Sequence, residues 1–118
     1  MKPQKTDLLS VQVGEDAFFI RKDALGVADG VGGWNEVPGA NPSLYSQKLM
    51  HYCCREFEDL ELDDNGTTSD YQDVLPALVM RKGYDLTSRD CRNENILGSC
   101  TALIALLRVN RNQSILFV

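Results

Sequence analysis

The chain has 118 residues, a formal net charge of −5 and a pI of about 4.7, and its basic residues are scattered. This length allows one small domain. Without clustered lysine and arginine, an acidic chain is not expected to bind nucleic acid or anionic membranes, and no apolar run is long enough to span a bilayer.

The first part of the chain predicts short strands, then a loop and a helix. Apolar runs indicate three strands, at Thr6–Val13, Ala17–Ile20 and Leu25–Ala28. Gly30–Asn41 carries glycine and proline and predicts a loop. Asn41 can cap a helix that has Pro42 in its first position. An apolar stripe at helical spacing continues this helix to about Leu60.

The second part predicts one more helix and a hairpin. The acidic stretch Glu58–Asp70 is expected to be a solvated loop. A second helix is predicted from about Tyr71 to Ser88, with Asp70 as its cap and Pro76 in its first turns. Arg89–Leu97 is predicted to be a polar connection.

The last apolar segments predict a pair of strands. Ser99–Val109 is apolar on both faces, which is typical of a central strand that is covered on each side. Asn110–Asn112 is predicted to turn the chain into a final strand at Ser114–Val118.

Acidic residues stand at the ends of two predicted strands. Glu15 and Asp16 precede one strand, and Asp29 follows the next and opens the sequence Asp-Gly-Val-Gly-Gly. If these strands pair, the acids lie side by side. Hard cations bind carboxylate and backbone carbonyl oxygens, and a glycine such as Gly30 lets the backbone come close. The alternatives are a plain Asp-Gly turn and a solvated acidic pair.

A third motif, Gly98–Ala102, reads Gly-Ser-Cys-Thr-Ala and opens an apolar strand. In order and spacing, the three motifs resemble the metal-dependent serine/threonine protein phosphatases of the PPM, or type 2C, family. Trp34, Asn41–Ser46 and Leu49–Met50 are most similar to the mitochondrial branch of that family.

The resemblance runs from about Val13 to Val118. It implies an α+β fold in which residues 1–118 are the N-terminal, incomplete part of an α/β/β/α four-layer sandwich. The implied activity is hydrolysis of phosphoserine and phosphothreonine in proteins by a metal-activated water. The implied partner is a phosphoprotein substrate, and the implied location is the mitochondrial matrix, with the cytoplasm as the alternative.

The resemblance also implies roles for individual residues. Two Mn²⁺ or Mg²⁺ ions would occupy the complete domain, with Asp29 as the bridging carboxylate and Gly30 offering its carbonyl. Glu15 and Asp16 would ligate the metal or hold its waters. Asp16 and Asp29 are therefore the catalytic candidates, and all four residues are metal-site candidates.

Two departures from the family pattern leave roles unassigned. No arginine lies in Ser10–Val13, where relatives carry a phosphate-binding arginine, and Val31 stands where many relatives have a histidine that serves as general acid. The chain alone is expected to have little activity. One alternative is a catalytically inactive fragment or pseudophosphatase that acts as a regulatory binding module. Another is a plain α/β interaction module, which a buried Asp29 without an acidic neighbour would favour.

The remaining reactive residues are expected to be structural. The single histidine, His51, is predicted to be a packing or surface residue of the first helix. Trp34 is predicted to pack the glycine turn against that helix, and Ser99 and Thr101 are read as strand residues rather than nucleophiles. The spacing of the cysteines does not suit a zinc site and predicts reduced, partly buried thiols at Cys53, Cys54, Cys91 and Cys100.

Overall fold

The structure is a computed structural model that describes residues 8–62, 76–110 and 113–118. Its strands form one antiparallel sheet in the order β1-β2-β3-β4-β5. The elements, in chain order, are β1 (Val11–Val13), β2 (Asp16–Ile20), β3 (Ala24–Gly30), a 3-10 helix (Gly32–Glu36), α1 (Pro42–Leu62), α2 (Pro76–Glu94), β4 (Cys100–Asn110) and β5 (Gln113–Phe117).

Both helices lie on one face of the sheet. Side chains of a strand point alternately to its two faces, and every second residue of β3 is buried against the helices. The buried face of β2, β3 and β4 is formed by Ala17, Phe19, Ala24, Ala28, Ile104 and Leu106. Phe57 of α1 packs on Phe19 with ring centroids 6.1 Å apart. This contact lies in the core of the described part.

The opposite face of the sheet, which we call the open face, is covered by no described element. It carries large apolar side chains that are 39–75% exposed: Val11, Val13, Ile20, Leu25, Val27, Leu103, Leu107 and Leu116. The Ser99–Val109 strand was predicted to be covered on both sides. Within the described residues, the helices cover one side of it and the other side is exposed. One sheet under one layer of helices confirms the α+β class and is consistent with part of a PPM sandwich.

The first helix was predicted correctly, and the end of the second was not. Leu44 donates its amide to Asn41 Oδ1 at 3.1 Å, so Asn41 caps α1. The predicted polar connection at Arg89–Leu97 is wrong over residues 89–94, which continue α2 to Glu94. In this extension Cys91 is buried, and Asp90 forms an ion pair with α1.

A lysine of α1 holds this last part of α2. The Lys48 side chain is 6% exposed, and its Nζ lies 3.2 Å from Asp90 Oδ2 and 3.0 Å from Glu94 Oε2. Burial opposes the charge of Lys48, but the two carboxylates outweigh it and raise its pKa. Asn95 then ends the helix at a φ of 56°, with the Ile96 amide bonded to the Cys91 carbonyl.

Other boundaries differ from the prediction by smaller amounts. Of the predicted strand Thr6–Val13, only Val11–Val13 is β-strand, and residues 6 and 7 lie outside the described residues. The helix α1 runs to Leu62, into the predicted loop Glu58–Asp70. Also outside the described residues are the rest of that loop, the Asp70 cap, the predicted helix start at Tyr71, and turn residues 111 and 112.

The cysteines and the histidine have structural surroundings. All four cysteines are free thiols, and Cys53, Cys54 and Cys91 are buried, as predicted. His51 is half-buried on α1, and its Nδ1 accepts the Leu9 amide at 3.0 Å, which agrees with a packing role. Among helices in the described ranges, none combines the length and apolarity that crossing a bilayer requires.

Candidate functional site

The first hairpin sets the position of Asp16. Val13 pairs with Asp16, so the turn between β1 and β2 has only two residues, Gly14 and Glu15. Gly14 has a φ of 61°, as the first residue of a type II′ hairpin turn requires. Asp16 is therefore the first residue of β2.

Asp16 and Asp29 come together at the end of two neighbouring strands. Ala17 pairs with Ala28, and continuing this antiparallel register by one residue places Asp16 opposite Asp29. Directly opposite residues have Cβ atoms about 4.5–5.5 Å apart. Both acids belong to the open face, and both are exposed. The register therefore brings Asp16 beside Asp29, as predicted from the strand ends, whereas Glu15 does not join them.

The two carboxylates stand at one end of a shallow depression in the open face. Its other lining residues are mostly apolar: Val13, Ala17, Phe18, Val27, Ala28, Thr101, Ala102 and Leu103. The depression places two negative side chains beside an apolar floor. Asp29 is neither buried nor without an acidic neighbour, so the condition for a plain interaction module is not met.

Gly30 lies in close contact with the first hairpin. Its amide donates to Asp16 Oδ1 at 3.2 Å, which ties β3 to the carboxylate. A Cβ at Gly30 would lie 2.3 Å from the Glu15 carbonyl oxygen, so no larger residue fits without moving the hairpin. Glycine is thus required here by the approach of a second backbone segment.

The side chain of Glu15 takes a different direction from those of Asp16 and Asp29. Its Oε1 accepts a hydrogen bond from the Asn35 side-chain amide, and its Oε2 would lie 3.0 Å from a Cβ at Gly32. Glu15 therefore faces the 3-10 helix. In the described ranges, no group of three histidine, cysteine or acidic side chains is gathered in a way that could hold a metal.

The carbonyl of Gly30 points toward Asp16 rather than toward β4. The peptide between Gly30 and Val31 is trans, and the Val31 amide donates to the Ser99 carbonyl at 3.0 Å. In a trans peptide the N–H and C=O groups point in opposite directions. The Gly30 carbonyl consequently points to the β2 side, where its own amide meets Asp16.

The loop after Gly30 is anchored on Ser99, the residue that precedes β4. Trp34 donates its indole N–H to Ser99 Oγ at 2.7 Å, and the Trp34 amide bonds to the Val31 carbonyl at 3.3 Å. The 3-10 helix also contacts α1, and the packing of Trp34 itself on that helix stays a prediction. The hydrogen bond from Trp34 to Ser99 was not predicted. The available signal was chemical, because a partly buried tryptophan normally needs an acceptor for its N–H group.

Neighbouring reactive groups are not placed to act as nucleophiles. Burial, together with the nearby Asp29 carboxylate, raises the pKa of the Cys100 thiol, although the neighbouring Ser46 hydroxyl opposes the shift. Cys100 is therefore a neutral thiol at physiological pH and a poor nucleophile or ligand. Ser99 has Trp34, not a histidine, as its side-chain partner.

Comparison with known proteins gives relatives of one kind. The chain is 38% identical over 97 residues to a probable protein phosphatase 2C 80 of Arabidopsis thaliana. It is 52% identical over 102 residues to a protein phosphatase PTC7 homolog of Xenopus laevis, and 32% identical over 98 residues to the PTC7 homolog fig of Drosophila ananassae. No family model matches the chain, and no solved structure matches it significantly.

Each of these similarities covers most of the chain and a smaller share of the relative. The alignments include 80% of this chain but 20%, 29% and 26% of the three relatives, in the order given. The chain thus spans between a fifth and three tenths of the length of these proteins. The similarity assigns the matched part of the chain to the protein phosphatase 2C (PPM) family.

Proposed function

We propose that the protein takes part in metal-dependent hydrolysis of phosphoserine and phosphothreonine in proteins. The observation that carries this proposal is the placement of Asp16 and Asp29 side by side, with the Gly30 carbonyl pointing to the same strand edge. Relatives named protein phosphatases support the general activity. The cation, the substrate residues and a mitochondrial location remain predictions.

These donors fit a hard divalent cation such as Mn²⁺ or Mg²⁺. Such cations prefer carboxylate, carbonyl and water oxygens, and this is the donor set that Asp16, Asp29 and Gly30 offer. Because the Glu15 carboxylate faces Asn35, it would influence the cation by positioning the loop or by binding waters of the cation. When bound, divalent cations neutralise charge on a phosphoryl group and lower the pKa of a coordinated water.

The chain's own residues then have distinct tasks. Asp16 accepts the Gly30 amide with one oxygen and keeps its second oxygen for the cation. Asp29 pairs through its backbone with Thr101, which keeps its carboxylate at the strand end. The depression beside the two acids adds an apolar surface on one side of the site. The general acid and the phosphate-binding group stay unassigned.

The proposal predicts weak metal binding by the 118-residue chain. A site of two carboxylates and one carbonyl should bind Mn²⁺ with a Kd on the order of 1 mM, at the weak end for oxygen-ligand sites. Loss of the electron paramagnetic resonance signal of free Mn²⁺ measures this binding. Asp29→Asn and Asp16→Asn should each weaken it, whereas Asp59→Asn, an exposed acid on α1, should not. Equal binding by all four proteins would contradict the metal site.

Activity requires a second experiment in a longer protein. The chain alone should show little Mn²⁺-dependent hydrolysis of p-nitrophenyl phosphate, because the described residues gather only two acids. In the Xenopus laevis relative, the segment that matches this chain would be replaced by this chain, which is 52% identical to it. The chimera should dephosphorylate phosphoserine and phosphothreonine peptides, and Asp29→Asn should abolish this. An active chimera carrying Asp29→Asn would refute the catalytic assignment.

The alternative, an inactive regulatory module of the same fold, makes the opposite prediction. Its glycine turn would serve packing alone, so the chimera would fold but would not hydrolyse phosphopeptides with Mn²⁺ or Mg²⁺. The pairing of two exposed acids on one face favours the enzyme, because an exposed pair of like charges destabilises a sheet unless a cation offsets it.

A further inference from the structure

We propose that Trp34 and Ser99 form a latch that orients the Gly30 carbonyl toward Asp16, and that both are positioning residues of the site. The inference rests on the proposed metal-dependent function. It concerns the hydrogen bond from the Trp34 indole to Ser99 Oγ. Neither residue is a candidate metal ligand.

The Gly30–Val31 peptide needs such a latch because it stands where regular pairing stops. Pairing between β3 and β4 ends at Gly30 and Cys100, and one further bond joins the Val31 amide to the Ser99 carbonyl. Terminal bonds of a ladder open easily. If this bond opens, the peptide can rotate and the Gly30 carbonyl loses its direction.

The residues after Val31 do not restrain it by themselves. Gly32 and Gly33 are both exposed, and consecutive glycines leave the backbone wide conformational freedom. A Cβ at Gly33 would meet nothing within 4 Å, so no neighbour confines the chain there. Two side-chain bonds hold this segment: Asn35 donates to Glu15, and Trp34 donates to Ser99. Of the two, the Trp34 bond joins the segment to the residue that accepts the Val31 amide.

Trp34 restrains the turn by bonding to the same residue that holds Val31. Ser99 accepts the Val31 amide with its carbonyl and the Trp34 indole with its hydroxyl, at 3.0 Å and 2.7 Å. The Trp34 amide closes the turn onto the Val31 carbonyl. Opening the Val31 bond therefore strains the indole bond, so the two bonds hold the peptide together.

A latch of this kind changes metal affinity and not only stability. Groups that orient metal ligands typically contribute tenfold or more to affinity. We therefore expect Trp34→Phe, which keeps the ring and removes the N–H group, to weaken Mn²⁺ binding about tenfold. Ser99→Ala should do the same. The double variant should be no weaker than either single one, because the two residues make one bond.

The test is Mn²⁺ titration by electron paramagnetic resonance on the 118-residue chain, with thermal unfolding measured in parallel. Ser99→Thr keeps a hydroxyl and should retain affinity within about twofold. Tyr52→Phe is the matched control, because it also removes one aromatic donor, from a bond to Asp90 between the helices. It should lower the Tm without changing Mn²⁺ affinity.

The outcomes separate the latch from the metal site. If Trp34→Phe lowers the Tm as Tyr52→Phe does and leaves Mn²⁺ affinity unchanged, Trp34 is a packing residue and the latch is refuted. If the Asp29→Asn variant binds Mn²⁺ as tightly as the wild-type chain does, the metal site itself is refuted, and the latch with it. Weaker binding by Trp34→Phe and Ser99→Ala, with rescue by Ser99→Thr, supports the latch.

Discussion

Replacing Gly30 by alanine tests whether the site depends on the contact between β3 and the first hairpin. The new Cβ would lie 2.3 Å from the Glu15 carbonyl oxygen and 3.0 Å from Glu15 Cβ. Because such contacts essentially never occur below 3.0 Å, the hairpin must move away by more than half an ångström. That movement lengthens the 3.2 Å bond between the Gly30 amide and Asp16.

Two costs combine in the Gly30→Ala variant. Overpacking costs about 1–3 kcal/mol, and a weakened bond to a charged group costs about 1–2 kcal/mol. The free energy of unfolding should therefore fall by about 2–5 kcal/mol, which lowers the Tm by roughly 8–20 °C in a domain of this size. Mn²⁺ affinity should fall as well, because Asp16 is displaced.

Gly33→Ala is the matched control, because a Cβ there meets nothing within 4 Å and the residue has no positive φ. Both variants would be followed by circular dichroism at equal concentration. Gly33→Ala should unfold within a few degrees of the wild type. Equal Tm values for Gly30→Ala and Gly33→Ala would show that the hairpin yields freely, and would refute the reasoning.

Three further predictions concern the rest of the molecule. The pKa of His51 is lowered below 6.5, first by burial and then by the positive charges of Arg55 and Lys48, whereas the Asp90 carboxylate raises it. Neutral His51 accepts the Leu9 amide, so its contribution to stability should be present above pH 6.5 and be lost as pH falls through the lowered pKa. Unfolding of His51→Gln should depend less on pH between 5 and 7, and an unchanged slope would contradict this. Lys48→Met should increase hydrogen exchange at residues 89–94, because it removes both ion pairs to that turn, and unchanged protection would show that packing alone holds it. The chain should self-associate through the open face, since each buried Å² of apolar surface contributes about 25 cal/mol. Sedimentation should show that Val27→Lys reduces association and that Leu78→Lys, an exposed apolar residue on α2, does not. A monomeric wild-type chain would refute this prediction.

Local patterns predicted the parts of the fold that local forces determine. The continuous apolar runs Ala17–Ile20 and Leu25–Ala28 predicted the strands, and the alternating burial in β2 and β3 follows from strand geometry. The start of α1 follows from the capping preference of asparagine at Asn41. The proximity of Asp16 and Asp29 was predictable because each acid stands at the end of an apolar run, and consecutive strands usually pair.

Contacts between distant residues account for what the sequence did not reveal. The Trp34 indole and Ser99 are 65 residues apart, and no periodicity links them. The extension of α2 to Glu94 depends on Lys48, which belongs to the other helix. The direction of Glu15 depends on Asn35, across a turn whose shape is set by glycine. Composition near Arg89–Leu97 is polar, so local propensity pointed to a connection.

The register of β3 with β4 has a consequence for how the protein is made. Asp29 pairs with Thr101, about 70 residues later in the chain. At a synthesis rate of about 5–20 residues per second, the ribosome needs on the order of 4–14 s to add that stretch. Throughout this interval the nascent β1–β2–β3 segment presents its two acids and its apolar strand edge without β4. A chaperone or a neighbouring nascent chain would meet that edge before the native partner strand does.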